Sequence, residues 1–202
     1  MEKRTVNLKF NEEIEGRKLE GYASVFSDEY TEIFDRWGDS FGERVVAGAF
    51  RETLKQRAND IFMLINHDYN KVVGRNGSNL TLEEDDNGLR FSLDVPNTSD
   101  GNDLLENVKV GIIRGCSFGF NVSGEETRWL EDKFYRDITK VDLFEITATP
   151  IPAYSNTEIS ARSDISLRDI KPKVEDVKVE KQEIKESRNK AIFKNILKNL
   201  NK

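Results

Sequence analysis

Hydrophobic positions recur at two spacings along this chain, and the two seldom overlap. Alternating or short continuous apolar runs dominate the first 150 residues and predict short strands separated by turns. Lys18–Phe26 (KLEGYASVF) alternates as a strand, and a loop with Asp28, Glu29, Asp35 and Gly38 follows it. Ile61–Ile65 (IFMLI) is a continuous apolar run, which fits a strand buried on both faces and ends at Asn66-His67-Asp68. Leu80–Glu84 and Leu89–Val95 read as a hairpin around Asp85-Asp86-Asn87-Gly88, with Asn-Gly as the turn signal. Three further strands are expected at Cys116–Ser123, Phe134–Thr139 and Val141–Ala148. Helical spacing appears at Arg44–Arg57, through Val45, Ala49, Phe50 and Leu54. It appears again from a cap at Ser99 or Asp100 to Ile113, with Gly115 as the stop. The fold class expected is mainly β with α (α+β).

The pattern changes at about residue 164. Residues 164–189 mix Lys and Glu with few large apolar groups and read as a flexible tail. Ala191–Leu200 places Ile192, Phe193, Ile196, Leu197 and Leu200 on one face of a basic amphipathic helix. That helix suits docking on a partner, packing on the body or lying on a membrane surface. The expected organisation is a domain over 1–163 and a tail over 164–202.

Charge sharpens this division. Of 31 basic and 37 acidic residues, 11 and 7 lie from Asp164 onward, leaving 20 and 30 in the first 163. A body at −10 argues against nucleic-acid binding, and the tail at +4 is a solvated linker or a contact for something acidic. No run approaches the roughly 18 apolar residues of a membrane helix, so no membrane partner is expected. Met1-Glu2-Lys3-Arg4 leads into no apolar segment, so no secretory signal is expected either. One cysteine, Cys116, permits no internal disulfide, and one histidine, His67, permits no multi-histidine metal site.

Candidate chemistry centres on Gly115-Cys116-Ser117-Phe118-Gly119-Phe120-Asn121-Val122-Ser123. Strand alternation puts Cys116, Phe118, Phe120 and Val122 on an apolar face, with Ser117, Gly119, Asn121 and Ser123 on a small polar one. Cys116 is expected inward, and Ser117 outward on a face kept open by Gly119. A serine nucleophile needs a general base, and His67 is the one imidazole available. A third group should orient that ring. Glu145, set in the apolar Leu143-Phe144-Glu145-Ile146-Thr147, is a candidate beside Asp68, Asp137 and Asp142. A polar-faced strand and a surface histidine account for the same residues without any chemistry.

Several motifs together resemble those of the tailed-phage prohead protease family, the capsid maturation proteases. In order they are Gly21-Tyr22-Ala23-Ser24-Val25-Phe26, Gly48-Ala49-Phe50, Asn66-His67-Asp68, Gly74-Arg75, Leu80-Thr81-Leu82, Gly88-Leu89-Arg90-Phe91, Gly115-Cys116-Ser117-Phe118-Gly119-Phe120, Leu143-Phe144-Glu145-Ile146-Thr147 and Pro152-Ala153-Tyr154. The resemblance covers the body and leaves the tail aside. It implies a fold similar to the herpesvirus assembly protease, a closed β-barrel-like sheet with surrounding helices. It also implies a serine endopeptidase with Ser117 as nucleophile and His67 as base. The herpesvirus enzyme has a second histidine as third member, which this chain does not supply, and motif order puts Glu145 in that place.

The loop after the Glu145 strand is expected to supply oxyanion N–H groups. Pro150 and Pro152 cannot donate, which leaves Ile151, Ala153 and Tyr154, with Ala153 and Tyr154 preferred. No metal or organic cofactor is implied. The implied substrates are the scaffold, the N-terminal scaffold-like extension of the major capsid protein, and the enzyme itself. The portal is a further candidate partner, a homodimer a candidate assembly, and the prohead interior in the host cytoplasm the implied location. The competing readings are a catalytically inactive capsid assembly protein, a cysteine hydrolase using Cys116, and nucleic-acid binding through the tail.

Overall fold

A computed structural model describes residues 1–7, 16–35, 37–150, 162–163 and 167 of the chain. The chain divides into two compact units, residues 1–165 and 166–202, and all the strands and helices named below lie in the first. Ile151, Ala153 and Tyr154, and the amphipathic segment Ala191–Leu200, lie outside the described residues.

The elements run β1 (Glu2–Asn7), β2 (Lys18–Val25), β3 (Thr31–Asp35), β4 (Ser40–Val45), α1 (Arg51–Gln56), β5 (Phe62–Ile65), β6 (Asp68–Arg75), β7 (Leu80–Glu84), β8 (Gly88–Asp94), α2 (Ser99–Lys109), β9 (Gly115–Leu130), β10 (Lys133–Thr149) and β11 (Arg162–Ser163). The mainly β, few-helix composition matches the expected class.

The long antiparallel pair β9–β10 organises the domain. Two expected strands, Phe134–Thr139 and Val141–Ala148, are one strand, β10, with irregular register between Ile138 and Val141. Those irregularities let β10 change partners along its length. Its first half pairs in parallel with β4 (Tyr135↔Gly42 to Ile138↔Val45), and its second half with β5 (Glu145↔Phe62 to Ala148↔Ile65). The described pairings make a sheet in the order β1-β9-β10-β4-β3-β11, with β5 and β6 branching from β10, and a second sheet β2-β8-β7.

The expected closed barrel is not among the described pairings. Closure requires the edge strands to pair with each other, and the path instead ends at β1 and β11, with β5 and β6 as a branch.

The helices are shorter than their periodicity suggests. Arg44 and Val45, the start of the expected first helix, belong to β4, because Val45 and Val46 pair with Ile138 instead. Gly48, at φ +99°, turns the chain into α1. That helix has no side-chain cap of its own. Its first amides are served from β7, where Glu84 accepts from Gly48 N (2.7 Å), Phe50 N (2.9 Å) and Arg51 Nε (2.9 Å). The second helix is capped by Thr98, not Ser99 or Asp100, through Thr98 Oγ1 accepting from Gly101 N. It ends at Lys109, before Gly111 at φ +74° and well short of Gly115.

The core lies between the two sheets. Phe118 and Phe120 of β9 stack at 4.9 Å between centroids, and Phe50 meets Phe118 edge-on at 5.6 Å. Leu19, Leu89, Phe91 and Leu93 join them in one buried cluster. The N-terminal strand is pinned by a buried ion cluster. Arg4 binds Glu2 and Glu43, and Arg136 binds Glu2 (3.1 Å) and Glu43 (2.9 Å). Burying four charges is tolerable because each finds an opposite partner. The result fixes β1 along the Ser117 segment, with Thr5 opposite Ser117.

Candidate active site

His67 sits in a two-residue connection between β5 and β6, whose flanking residues Ile65 and Asp68 pair. Asn66 and His67 have φ of 54° and 60°, the positive values at both central positions that define a type I′ hairpin turn. Asn tolerates this left-handed region, and His is enriched there above most residues. Asn66 N donates to Ala148 O at 3.1 Å, and His67 N donates to Thr147 Oγ1 at 2.9 Å. Both contacts tie the turn to β10. A hairpin here was missed from the sequence, because the usual Asn-Gly signal is replaced by Asn66-His67.

Glu145 comes from β10, the parallel neighbour of β5. Its side chain is 0% exposed and its Oε1 lies 2.7 Å from His67 Nδ1. The carboxylate occupies space that Gly119 leaves empty across the strand pair. A Cβ on Gly119 would stand 2.2 Å from Glu145 Oε1. Glu145 Oε2 is buried without a hydrogen-bond partner among the described residues.

The rival carboxylates are engaged elsewhere or face away. Asp68 accepts from Asn70 N and Nδ2, both at 2.9 Å. Asp137 is held by Arg44, Arg128 and Tyr30, and Asp142 is exposed. Among the described residues, Glu145 is the carboxylate that meets the imidazole.

Ser117 lies directly opposite Thr147, and Gly119 opposite Glu145, in the β9–β10 ladder. Opposed and alternate residues share a face, so Ser117, Gly119, Glu145 and Thr147 line one side of the sheet, where the His67 ring also reaches. The backbones carrying His67 and Ser117 are two strand spacings apart, about 10 Å.

One expectation fails here. Ser117 is not on an open face: it is 0% exposed, and its Oγ has no hydrogen-bond partner among the described residues, His67 included. Alternation assigned its face correctly, but the small side chain lies below the surface of its surroundings. Cys116 is buried on the opposite, core side. Burial first, and then the nearby Glu145 charge, push its thiol far above the ordinary range. It is therefore a poor nucleophile.

No group of three or more His, Cys, Asp or Glu among the described residues is arranged to hold a metal ion. No helix among them is long and apolar enough to cross a membrane. The arrangement can deliver a proton acceptor, held by a carboxylate, to the face that carries a serine.

The chain is similar to known proteins over most of its length. The caudovirus prohead serine protease family matches residues 4–172. The prohead protease of Enterobacteria phage HK97 is 29% identical over 160 residues, which is 75% of this chain and 64% of that protein. The chain thus spans slightly less than two thirds of that curated relative. No solved structure matches.

Proposed function

Since the chain belongs to the caudovirus prohead serine proteases, we propose that it is a serine endopeptidase of capsid maturation in which Ser117, His67 and Glu145 form the catalytic triad. The observation that carries this reading is the 2.7 Å contact between His67 Nδ1 and the buried Glu145 carboxylate, on the face that bears Ser117.

With Nδ1–H donated to Glu145, Nε2 is left as the basic nitrogen. Ser117 Oγ attacks the peptide carbonyl carbon, a C–O bond forms, and Nε2 takes the hydroxyl proton. The same proton passes to the leaving amine as the C–N bond breaks. Water, deprotonated by His67, then hydrolyses the ester and restores the serine. The oxyanion would be held by the backbone N–H groups of Ala153 and Tyr154. Ser117 is covered and unbonded, so the reading includes a displacement on substrate entry that exposes it and brings it within reach of Nε2.

The protease domain in this reading spans residues 1–163. Its substrates are the scaffold or the scaffold-like N-terminal extension of the major capsid protein, and the chain itself, inside the prohead in the host cytoplasm. Contact with the portal, homodimerisation and kinship of fold with the herpesvirus assembly protease belong to the same reading.

Co-expression with the major capsid protein of the same phage, wild type beside Ser117→Ala, tests it by intact mass. Shortening of the capsid protein with wild type alone supports the triad. Shortening with both removes Ser117 from the reaction. The covered state of Ser117 favours one second reading, an inactive assembly protein, and that predicts shortening with neither, including in reconstituted proheads.

A further inference from the structure

We infer that Thr147 is a positioning residue for the proposed triad: its hydroxyl, acting through the backbone of His67, sets where the imidazole stands relative to Ser117. The inference rests on the proposed protease reading and deepens it.

The His67 turn has an unusual anchoring need. Two consecutive non-glycine residues sit at positive φ, a conformation that L side chains disfavour and that persists only when the surroundings enforce it. The β5–β10 ladder ends at Ile65↔Ala148, so His67 N–H has no strand partner. It donates instead to Thr147 Oγ1 at 2.9 Å, a side chain 80 residues away and 0% exposed. Thr147 is also the residue directly opposite Ser117, and it lies two positions after Glu145 on the same face. One side chain therefore stands between the backbone of the base and the strand of the nucleophile, beside the carboxylate that orients the ring. Its β-branched methyl suits a buried strand. A valine would serve packing equally well, so it is the hydroxyl that needs a reason, and His67 N–H is the partner it has.

Thr147→Val keeps shape and branching and removes only that acceptor. Of the two backbone ties from the turn to β10 only Asn66 N to Ala148 O then remains, and the ring is less firmly placed against Glu145 and the Ser117 face. A misplacement of about 1 Å costs on the order of 100-fold in rate. The test uses the full-length protein and a fluorophosphonate probe, whose phosphorus takes the serine oxygen as fluoride leaves, with the labelled residue located by peptide mass. The expected result is Ser117 labelling slowed roughly 10- to 100-fold in Thr147→Val. Thr147→Ser, which restores the hydroxyl, should fall within about threefold of wild type by the same reasoning. In capsid-protein cleavage the loss should sit in kcat with KM little changed, and the His67 amide should exchange faster with solvent.

Wild-type labelling of Ser117 with Thr147→Val reacting at the same rate overturns the inference and leaves the triad standing. A wild type that is not labelled at Ser117 and does not shorten the capsid protein in reconstituted proheads overturns the protease reading, and the inference with it; where it cleaves without labelling, the capsid-cleavage rates of the variants carry the same comparison. If Thr147→Val fails to fold, Thr147→Ser against Thr147→Ala gives the same comparison, and equal rates in that pair overturn the inference.

Discussion

Replacing Gly119 by alanine should disable the site through Glu145 while leaving the fold in place. The added Cβ would meet Glu145 Oε1 at 2.2 Å, Glu145 Cδ at 3.0 Å and Met1 Sδ at 3.1 Å. Unstrained contacts of this kind lie near 3.5 Å, so the carboxylate must retreat by at least about 1 Å. The atom displaced is the one that holds His67 Nδ1 at 2.7 Å. Retreat lengthens or breaks that bond, and the expected loss of activity is about 100-fold for a 1 Å error in the base. Complete loss of the carboxylate's orienting role would approach about 10⁴-fold. Stability falls as well, because a buried carboxylate loses its partner at a cost of about 1–3 kcal/mol. That corresponds to roughly 2–12 °C in melting temperature for a chain of this size. The assay pairs fluorophosphonate labelling of Ser117 with thermal unfolding. Glu145→Asp in the Gly119→Ala background withdraws the carboxylate by one methylene and should recover part of both losses. A Gly119→Ala protein that labels at the wild-type rate would refute the reasoning, since it would mean that the Glu145–His67 contact is not needed or that the site absorbs the clash.

Three other outcomes test the surrounding structure. Burial acts to raise the Asp137 carboxyl, but hydrogen bonds from Arg44, Arg128 and Tyr30 more than offset it and hold it down to about 2, against an ordinary 3.8. A depressed folded value stabilises above the unfolded one, so this contribution is complete above about pH 4 and disappears as pH falls toward 2. Because Arg128 is 40% exposed, the solvent-discounted contribution is roughly 1–2 kcal/mol. Asp137→Asn should lose that much by urea unfolding at pH 7 and almost nothing at pH 2. Cys116, buried and with its thiol raised, should resist alkylation in the native protein and react only on unfolding, while Cys116→Ala retains serine-dependent cleavage. Glu84→Gln should destabilise by about 1–2 kcal/mol in thermal melts, because Gly48 N, Phe50 N and Arg51 Nε lose a charged acceptor.

Elements whose signals are local were legible. The Asp85–Gly88 turn, the Lys18 strand and the buried Ile61–Ile65 run lie where their patterns put them. The face assignment of Cys116 and Ser117 follows from alternation alone. Elements that depend on partners were not legible. β3 lies in a stretch read as loop and the end of β4 in one read as helix, since the short Thr31–Asp35 segment, with Ile33 and Phe34 side by side, shows no alternation and is a strand through its pairing with β4. β6, which begins one residue after His67, carries Tyr69 and Val72 on exposed positions and so shows no inward alternation. In the site, Glu145 stood out as a carboxylate in an apolar strand, whereas Thr147 gave no signal because a threonine in a strand is ordinary.

The sequence by itself determined which residues have chemistry to offer: one imidazole, a serine beside a glycine on a small polar face, and a carboxylate where carboxylates are costly. Only the tertiary structure decided that the imidazole and the carboxylate meet, on the face that carries the serine. His67 and Glu145 are 78 residues apart, and their contact is a consequence of register between β5 and β10, which no spacing along the chain encodes. The same register chose Glu145 over Asp68, Asp137 and Asp142 and gave Gly119 its role as the space the carboxylate fills. It also set Thr147 between the His67 backbone and Ser117. The burial of Ser117 is likewise a property of the assembled surroundings: alternation fixes the face of a side chain, and what lies over that face is contributed by other parts of the chain.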